Sequence, residues 1–94
     1  MAVTNAIVTR VATSAAASAI LRSSNRNRRG LTVYNESAAV LYVKCGENAS
    51  STDYTVAVEP SGYVNFKGNP IYVGIVTARL SAGAGNAQVT EFYG

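Results

Sequence analysis

The sequence has no histidine, no tryptophan, one cysteine, and only five acidic residues among 94. Histidine is the commonest general acid–base residue and the usual partner of a serine or cysteine nucleophile, so these mechanisms lack an obvious candidate. The spacing of the acidic residues does not match a metal site or a catalytic carboxylate pair. These residues are Glu36, Glu47, Asp53, Glu59 and Glu91. We therefore expect a binding protein without catalytic residues, metal or cofactor.

The single cysteine, Cys45, excludes an intrachain disulfide. It ends the run AVLYVKCG at 39–46, which favours a buried small hydrophobic residue over a reactive thiol. A chain of this size forms one domain and buries only about 60–65% of its unfolded surface. We expect an oligomer or a larger partner to supply part of its stability.

Charged residues are also scarce, at 14% of the chain against 48% hydrophobic residues, where an average domain has about 25% charged residues. Much of the surface must then be Ser, Thr, Asn, Gly and Ala, which suits packing against other proteins. No run approaches the ~20 apolar residues of a membrane span. Polar residues, among them Thr4, Asn5 and Arg10, interrupt the only segment that resembles a signal peptide. We expect a soluble intracellular protein.

Alternating apolar and polar residues dominate the chain, and this pattern is typical of strands. Strands are predicted at 18–22, 30–35, 39–46, 54–59, 63–67, 70–80 and 87–93. The segment between the second and third of these suits a hairpin or a tight corner. Alanines before residue 18 leave a short helix open as an alternative start. The segment 70–80 is apolar on both faces, as in a central strand, and Gly74 marks a bulge or bend.

About seven short strands separated by turns predict an all-β fold, a small antiparallel β-sandwich or jelly-roll-like barrel. Residues 1–13 are apolar and β-branched but set apart by alanines, so they form either an N-terminal arm or an edge strand, with the domain at 14–94. Three of them, Val3, Ile7 and Arg10, are candidate partner-binding residues.

Four arginines lie within eight residues: Arg22, Arg26, Arg28 and Arg29. This segment carries +4 in a chain of net charge +3, so the rest of the chain sums to −1 and the positive charge is local. Such arginines clamp carboxylates of their own fold, bind an acidic protein partner, or neutralise phosphates. No aromatic platform for stacking bases is evident beside them. The pattern therefore favours a clamp or a protein partner over nucleic acid, and all four residues are candidate partner-binding residues.

Several segments resemble a family of small structural proteins of tailed bacteriophages and prophages. The resemblance covers residues 18 to 92 and rests on NRNRRGLTVYN (25–35), VLYVK (40–44) and GNAQVTE (85–91). It implies a virion structural protein without enzymatic activity, assembled in the host cytoplasm. The motif leaves open the position in the particle.

On that resemblance we expect a head decoration (cement) protein that binds the major capsid protein and stabilises the head. We expect it to act as a symmetric homo-oligomer in which the N-terminal segment contacts a neighbour. The alternatives are a head–tail connector or tail-associated subunit, and a surface module that binds host glycans through exposed tyrosines.

Overall fold

The computed structural model describes residues 5–68 and 70–94, and all their regular elements are β-strands. The eight strands are β1 (Asn5–Ser14), β2 (Ala19–Arg22), β3 (Arg28–Asn35), β4 (Leu41–Cys45), β5 (Val56–Val58), β6 (Tyr63–Phe66), β7 (Val76–Leu80) and β8 (Ala84–Tyr93). They form two antiparallel sheets, β1-β8-β3-β6 and β2-β7-β4-β5. This confirms the predicted all-β sandwich.

The pairing of the strands is nested. β1 pairs with β8, β2 with β7, β3 with β6 and β4 with β5, always antiparallel. Such nesting arises when one long antiparallel ribbon folds over on itself, and it is the strand order of an eight-stranded jelly roll. Consecutive strands of the first half therefore alternate between the sheets. The segment between β3 and β4 is accordingly a corner from one sheet to the other, not a hairpin.

The core lies between the two sheets and contains one residue in two from each strand, because successive side chains of a strand point to opposite faces. Leu31 and Val33 of β3 and Leu41 and Val43 of β4 are all buried and belong to one hydrophobic cluster. The rest of the buried cluster is Leu21, Val58, Val76, Ala78, Leu80, Ala87 and Val89. These residues hold the two sheets together through burial of apolar surface.

The predicted strand at 70–80 is shorter in the structure, where β7 begins at Val76. The carbonyl oxygens of Tyr72 and Gly74 accept hydrogen bonds from Arg28 instead of joining a strand ladder. The Tyr72 hydroxyl donates to the Ile75 carbonyl at 2.9 Å. The apolar pattern of this segment predicted a buried central strand, but Tyr72 and Val73 are exposed, and the carbonyls of Val73 and Ile75 accept from the amides of Asn25 and Gly46 in loops.

Residues 5–13 of the predicted N-terminal segment belong to β1, an edge strand of the first sheet. β1 pairs with β8 along its whole length, from Asn5 opposite Tyr93 to Ser14 opposite Ala84. The candidate residue Val3 lies outside the described residues. Downstream, the alanine-rich stretch leads directly into strand β2 at Ala19, and residues 15–18 form no helix.

Candidate functional site: a buried arginine cluster and an exposed sheet face

The arginine cluster surrounds one carboxylate at an end of the sandwich. Arg28 is 1% exposed and Glu91 is 0% exposed, and Arg28 Nε donates to Glu91 Oε2 at 2.7 Å. The other two nitrogens of the same guanidinium bind backbone carbonyls: Nη1 donates to Tyr72 and Gly74, and Nη2 donates to Ser23 at 2.8 Å. Arg28 therefore joins the start of β3, the loop at Ser23 and the segment 72–74 to β8.

The second oxygen of Glu91 has its own donors. Arg22 Nη2 donates to Glu91 Oε1 at 2.9 Å, and Asn25 Nδ2 donates to the same atom at 3.1 Å. The carboxylate thus accepts hydrogen bonds on both oxygens from two cations and one amide. Such charge-assisted bonds are stronger than neutral ones, and they offset the desolvation of a charge placed inside the sandwich.

Strand geometry explains why these groups meet. Alternation along β8 turns Ala87, Val89 and Glu91 toward the core. The register of β3 against β8 shifts between Arg28 and Gly30, which is a β-bulge that turns Arg28 to the same inner face as Leu31. Glu91 was not among the residues that the sequence pattern paired with the arginines. One local signal was present: Glu91 occupies a core-facing position in the alternating pattern of β8, where an apolar residue is expected.

The electrostatics of Glu91 are set by opposing effects. Burial by itself raises the pKa of Glu91, because it disfavours the charged carboxylate. The hydrogen bonds from Arg28 and Asn25 and the charges of Arg22 and Arg28 act in the other direction and outweigh it, so the pKa of Glu91 lies below its ordinary value. The carboxylate is therefore ionised at neutral pH and functions as a fixed anion.

The remaining candidate residues are more accessible. Arg26 is exposed, and Arg29 is partly buried, with Nη1 donating to the Arg28 carbonyl at 3.2 Å. Arg10 lies on β1, and its guanidinium donates to both oxygens of Glu36 at 3.1 and 3.2 Å. Ile7 faces Glu91 across the β1–β8 pair and is 38% exposed. The structure thus brings together Arg22 and Arg28, whereas Arg10 belongs to another surface.

That other surface is the outer face of the first sheet, which we call the outer β1–β6 face. It consists of the outward residues of four adjacent strands: Ala6, Val8, Arg10, Ala12, Asn86, Gln88, Thr90, Phe92, Thr32, Tyr34, Tyr63 and Asn65. Arg10 is the one charged side chain among these outward residues, and Glu36 neutralises it. The face is therefore neutral and rich in amides, hydroxyls and small apolar groups.

Two exposed tyrosines stand side by side on this face. Tyr34 of β3 and Tyr63 of β6 are directly opposite in the antiparallel register, and they are 38% and 64% exposed. Next to them on β8 and β1 lie Gln88 and Arg10, so one row crosses all four strands. Large exposed rings beside hydrogen-bonding side chains are typical of interaction surfaces.

The outer face of the second sheet is different because loops cover part of it. Thr77 points outward from β7, yet it is buried under the loop that follows β4: its hydroxyl donates to Gly46 and accepts from the Ala49 amide. Arg79 donates to the carbonyls of Ala15 and Ala16. Lys44 pairs with Asp53 at 2.5 Å. This face is held by its own loops, which leaves the outer β1–β6 face as the broader free surface.

The part of the chain that the structure describes offers neither a group of metal-ligating side chains nor a long apolar helix. Within the described ranges, no three His, Cys, Asp or Glu side chains are grouped as metal ligands, and no helix has the length and apolarity to cross a membrane. A comparison of the chain with protein-family models, curated proteins and solved structures finds no significant match.

Proposed function

We propose that this chain is a structural subunit of a bacteriophage virion, a head decoration protein whose outer β1–β6 face binds the major capsid protein. The observation that carries the proposal is that face itself: a broad, uncovered four-stranded surface whose one outward charge, on Arg10, is paired with Glu36. A neutral face of amides, hydroxyls and tyrosines avoids the desolvation of charges when it packs against another protein. The sequence resemblance supports the same role.

The strand order supports the proposal by analogy. Jelly rolls recur in viral capsid proteins and also in lectins and cupins, so the fold is compatible with a virion protein but does not specify one. The proposal therefore rests on the chemistry of the face more than on the architecture.

The state of the arginines argues against a role in binding the genome. Arg28 and Arg22 bind Glu91 inside the chain. Two of the four clustered cations are therefore already engaged by an internal carboxylate. The affinity of a protein for nucleic acid increases with the number of its cations that can contact backbone phosphates. Of the four arginines, Arg26 is the exposed one, so the cluster offers little accessible positive charge to a nucleic acid.

Two other functions keep specific support. A head–tail connector or tail subunit would use the same neutral face, and the sequence resemblance includes it equally. Binding of a host glycan is favoured by the exposed Tyr34–Tyr63 pair beside Gln88, since sugar rings stack on aromatic faces and bond to amides.

Copy number in purified particles separates these roles. Hundreds of copies indicate decoration, whereas twelve, six or three match the rotational symmetry of a connector or tail part. Quantitative gel densitometry against the major capsid protein gives this ratio. A single-digit or twelvefold count would overturn the decoration role, and binding of the isolated protein to host polysaccharide would favour the glycan role.

A pair of matched variants tests the surface. Asn65→Glu places a charge on the outer β1–β6 face, and Ala57→Glu places the same charge on an exposed outward position of β5 in the second sheet. We expect Asn65→Glu to weaken binding to particles that lack the protein and Ala57→Glu to leave it unchanged. The reverse pattern would assign capsid binding to the second sheet.

A further inference from the structure

We infer that β1 is a homodimerisation edge: it pairs antiparallel with β1 of a second copy about a two-fold axis through Thr9, joining two four-stranded sheets into one of eight. The first observation is its position. β1 hydrogen-bonds to β8 on one side, and within residues 5–68 and 70–94 no strand pairs with its other side. A free strand edge presents unpaired N–H and C=O groups to any further strand.

β1 lacks most of the features that normally block such an edge, and its one charged residue, Arg10, is paired with Glu36 of the same chain. Its ten residues, NAIVTRVATS, contain no proline, glycine or lysine, and five of the ten are β-branched. Its register with β8 is continuous, without a bulge. Proteins usually protect edges with short strands, bulges, prolines or charges. An unprotected ten-residue edge is therefore expected to be covered by a partner strand.

The other three edges of the sandwich show the usual protection. β6 has four residues, and β5 has three and is followed by Glu59 and Pro60. β2 has four residues and an irregular register between Ile20 and Arg22. The contrast within one molecule singles out β1 as the edge that is left open for pairing.

Self-pairing of β1 has one favourable register. Directly opposite residues in an antiparallel pair share a face, so a continuous sheet requires that inward residues oppose inward residues. A two-fold axis at Thr9 satisfies this over Asn5–Thr13 and places Val8 opposite Arg10 of the second copy. An axis at Arg10 would oppose the two arginines, and like charges directly opposite are destabilising. The axis at Thr9 is therefore preferred.

The paired register also suits the surface chemistry. Val8 is 65% exposed in the single chain and would lie against the aliphatic stem of Arg10. The guanidinium of Arg10 points across β8 toward Glu36, away from the new strand pair. From strand spacing and rise, the outer β1–β6 face covers about 500 Å², less than the roughly 800 Å² per partner of a typical stable interface. Dimerisation would double the continuous face.

Charge substitutions at Val8 test this register. Val8→Lys places a cation opposite Arg10 of the second copy, twice in each dimer, whereas Val8→Glu places an anion there. Asn65→Lys on β6, the opposite edge of the same sheet, is the matched control for added surface charge. We expect sedimentation equilibrium to give a dimer for the wild type, about tenfold weaker association for Val8→Lys, and association at least as strong as wild type for Val8→Glu and Asn65→Lys.

Circular dichroism establishes that the variants are folded, and Val8→Glu remains informative even if Val8→Lys does not fold. Hydrogen exchange gives a second readout: β1 amides that point away from β8 should exchange more slowly at concentrations where the dimer forms. A monomer at every concentration up to the solubility limit, or a dimer equally insensitive to both Val8 substitutions, would overturn the inference. Since the protein is tested alone in solution, these outcomes are independent of its copy number in particles.

Discussion

Arg28 and Glu91 are 63 residues apart in the sequence, yet Arg28 Nε and Glu91 Oε2 are 2.7 Å apart inside the sandwich. The pair joins the start of β3 to the end of β8, and the remaining Arg28 nitrogens extend the connection to Ser23, Tyr72 and Gly74. One guanidinium thus fixes two segments outside the strands, one at Ser23 and one at 72–74. Removing one member of a buried pair leaves an uncompensated charge, with a typical cost of about 3–5 kcal/mol.

Replacement of Arg28 by lysine tests the geometry of this pair without removing its charge. An ammonium group is a single point and cannot reproduce the directions of Nε, Nη1 and Nη2. We expect Arg28→Lys to lower the free energy of unfolding by about 3 kcal/mol in urea denaturation. The exposed Arg26 is the matched control, and Arg26→Lys should change stability by less than about 0.5 kcal/mol. Equal stabilities of the two variants would show that charge alone matters.

The lowered pKa of Glu91 predicts an acid-dependent loss of stability. The unfolded carboxyl has an ordinary pKa of about 4.3, and the folded pKa is lower because the donations and charges of Arg28, Asn25 and Arg22 outweigh burial. The unfolded state therefore binds more protons between these two values, so stability increases with pH in that window. The contribution is complete above the unfolded pKa and is lost as pH falls through the folded pKa.

Unfolding free energies measured as a function of pH in wild type and Glu91→Gln test this linkage. We expect Glu91→Gln to be less stable at pH 7 and to lose the part of the acid dependence that Glu91 contributes. Glu47→Gln, at an exposed acidic position, should keep the wild-type profile. A Glu91→Gln profile parallel to that of wild type would contradict the assignment.

Among isosteric substitutions, we expect Asn35→Asp to cause the largest loss of stability. The Asn35 side chain is fully buried at the corner between the sheets. Nδ2 donates to the carbonyls of Ala39, Val58 and Glu59, and Oδ1 accepts from the amide and hydroxyl of Ser37. Asn35→Asp would turn this donor into an acceptor facing three carbonyl oxygens. We expect a loss of at least about 3 kcal/mol at neutral pH by urea denaturation, partly recovered at acidic pH where aspartate is protonated.

The rings of Tyr42 and Tyr54 are in contact, with centroids 4.8 Å apart and planes tilted by 43°. A tyrosine ring in a core typically costs about 3–5 kcal/mol when it is replaced by alanine. Tyr42 is half-buried on the outer face of β4, and Tyr54 precedes β5 and is 44% exposed, so we expect smaller losses. A double-mutant cycle should give a coupling of about 0.5–1.5 kcal/mol. Zero coupling would show that the rings contribute independently.

The strands were predictable because local alternation reflects half-burial, and half-burial is visible along the chain. The predicted strands at 30–35 and 39–46 correspond to β3 (Arg28–Asn35) and β4 (Leu41–Cys45). The same reasoning extended β7 too far toward its start, to residue 70. Apolar composition predicted a buried strand there, whereas Tyr72 and Val73 are exposed. The composition also carries no information on whether a carbonyl bonds to a strand or to the Arg28 side chain.

By itself, the sequence determined the strand content, the scarcity of charge and the concentration of arginines before β3, since all of these are local or compositional. Only the tertiary structure decided what the arginines do. β3 and β8 are distant in the chain but adjacent in the nested strand order, and a bulge at one and simple alternation at the other turn Arg28 and Glu91 to the same inner face. Pairing between distant strands depends on how all eight pack together, and no local pattern encodes it.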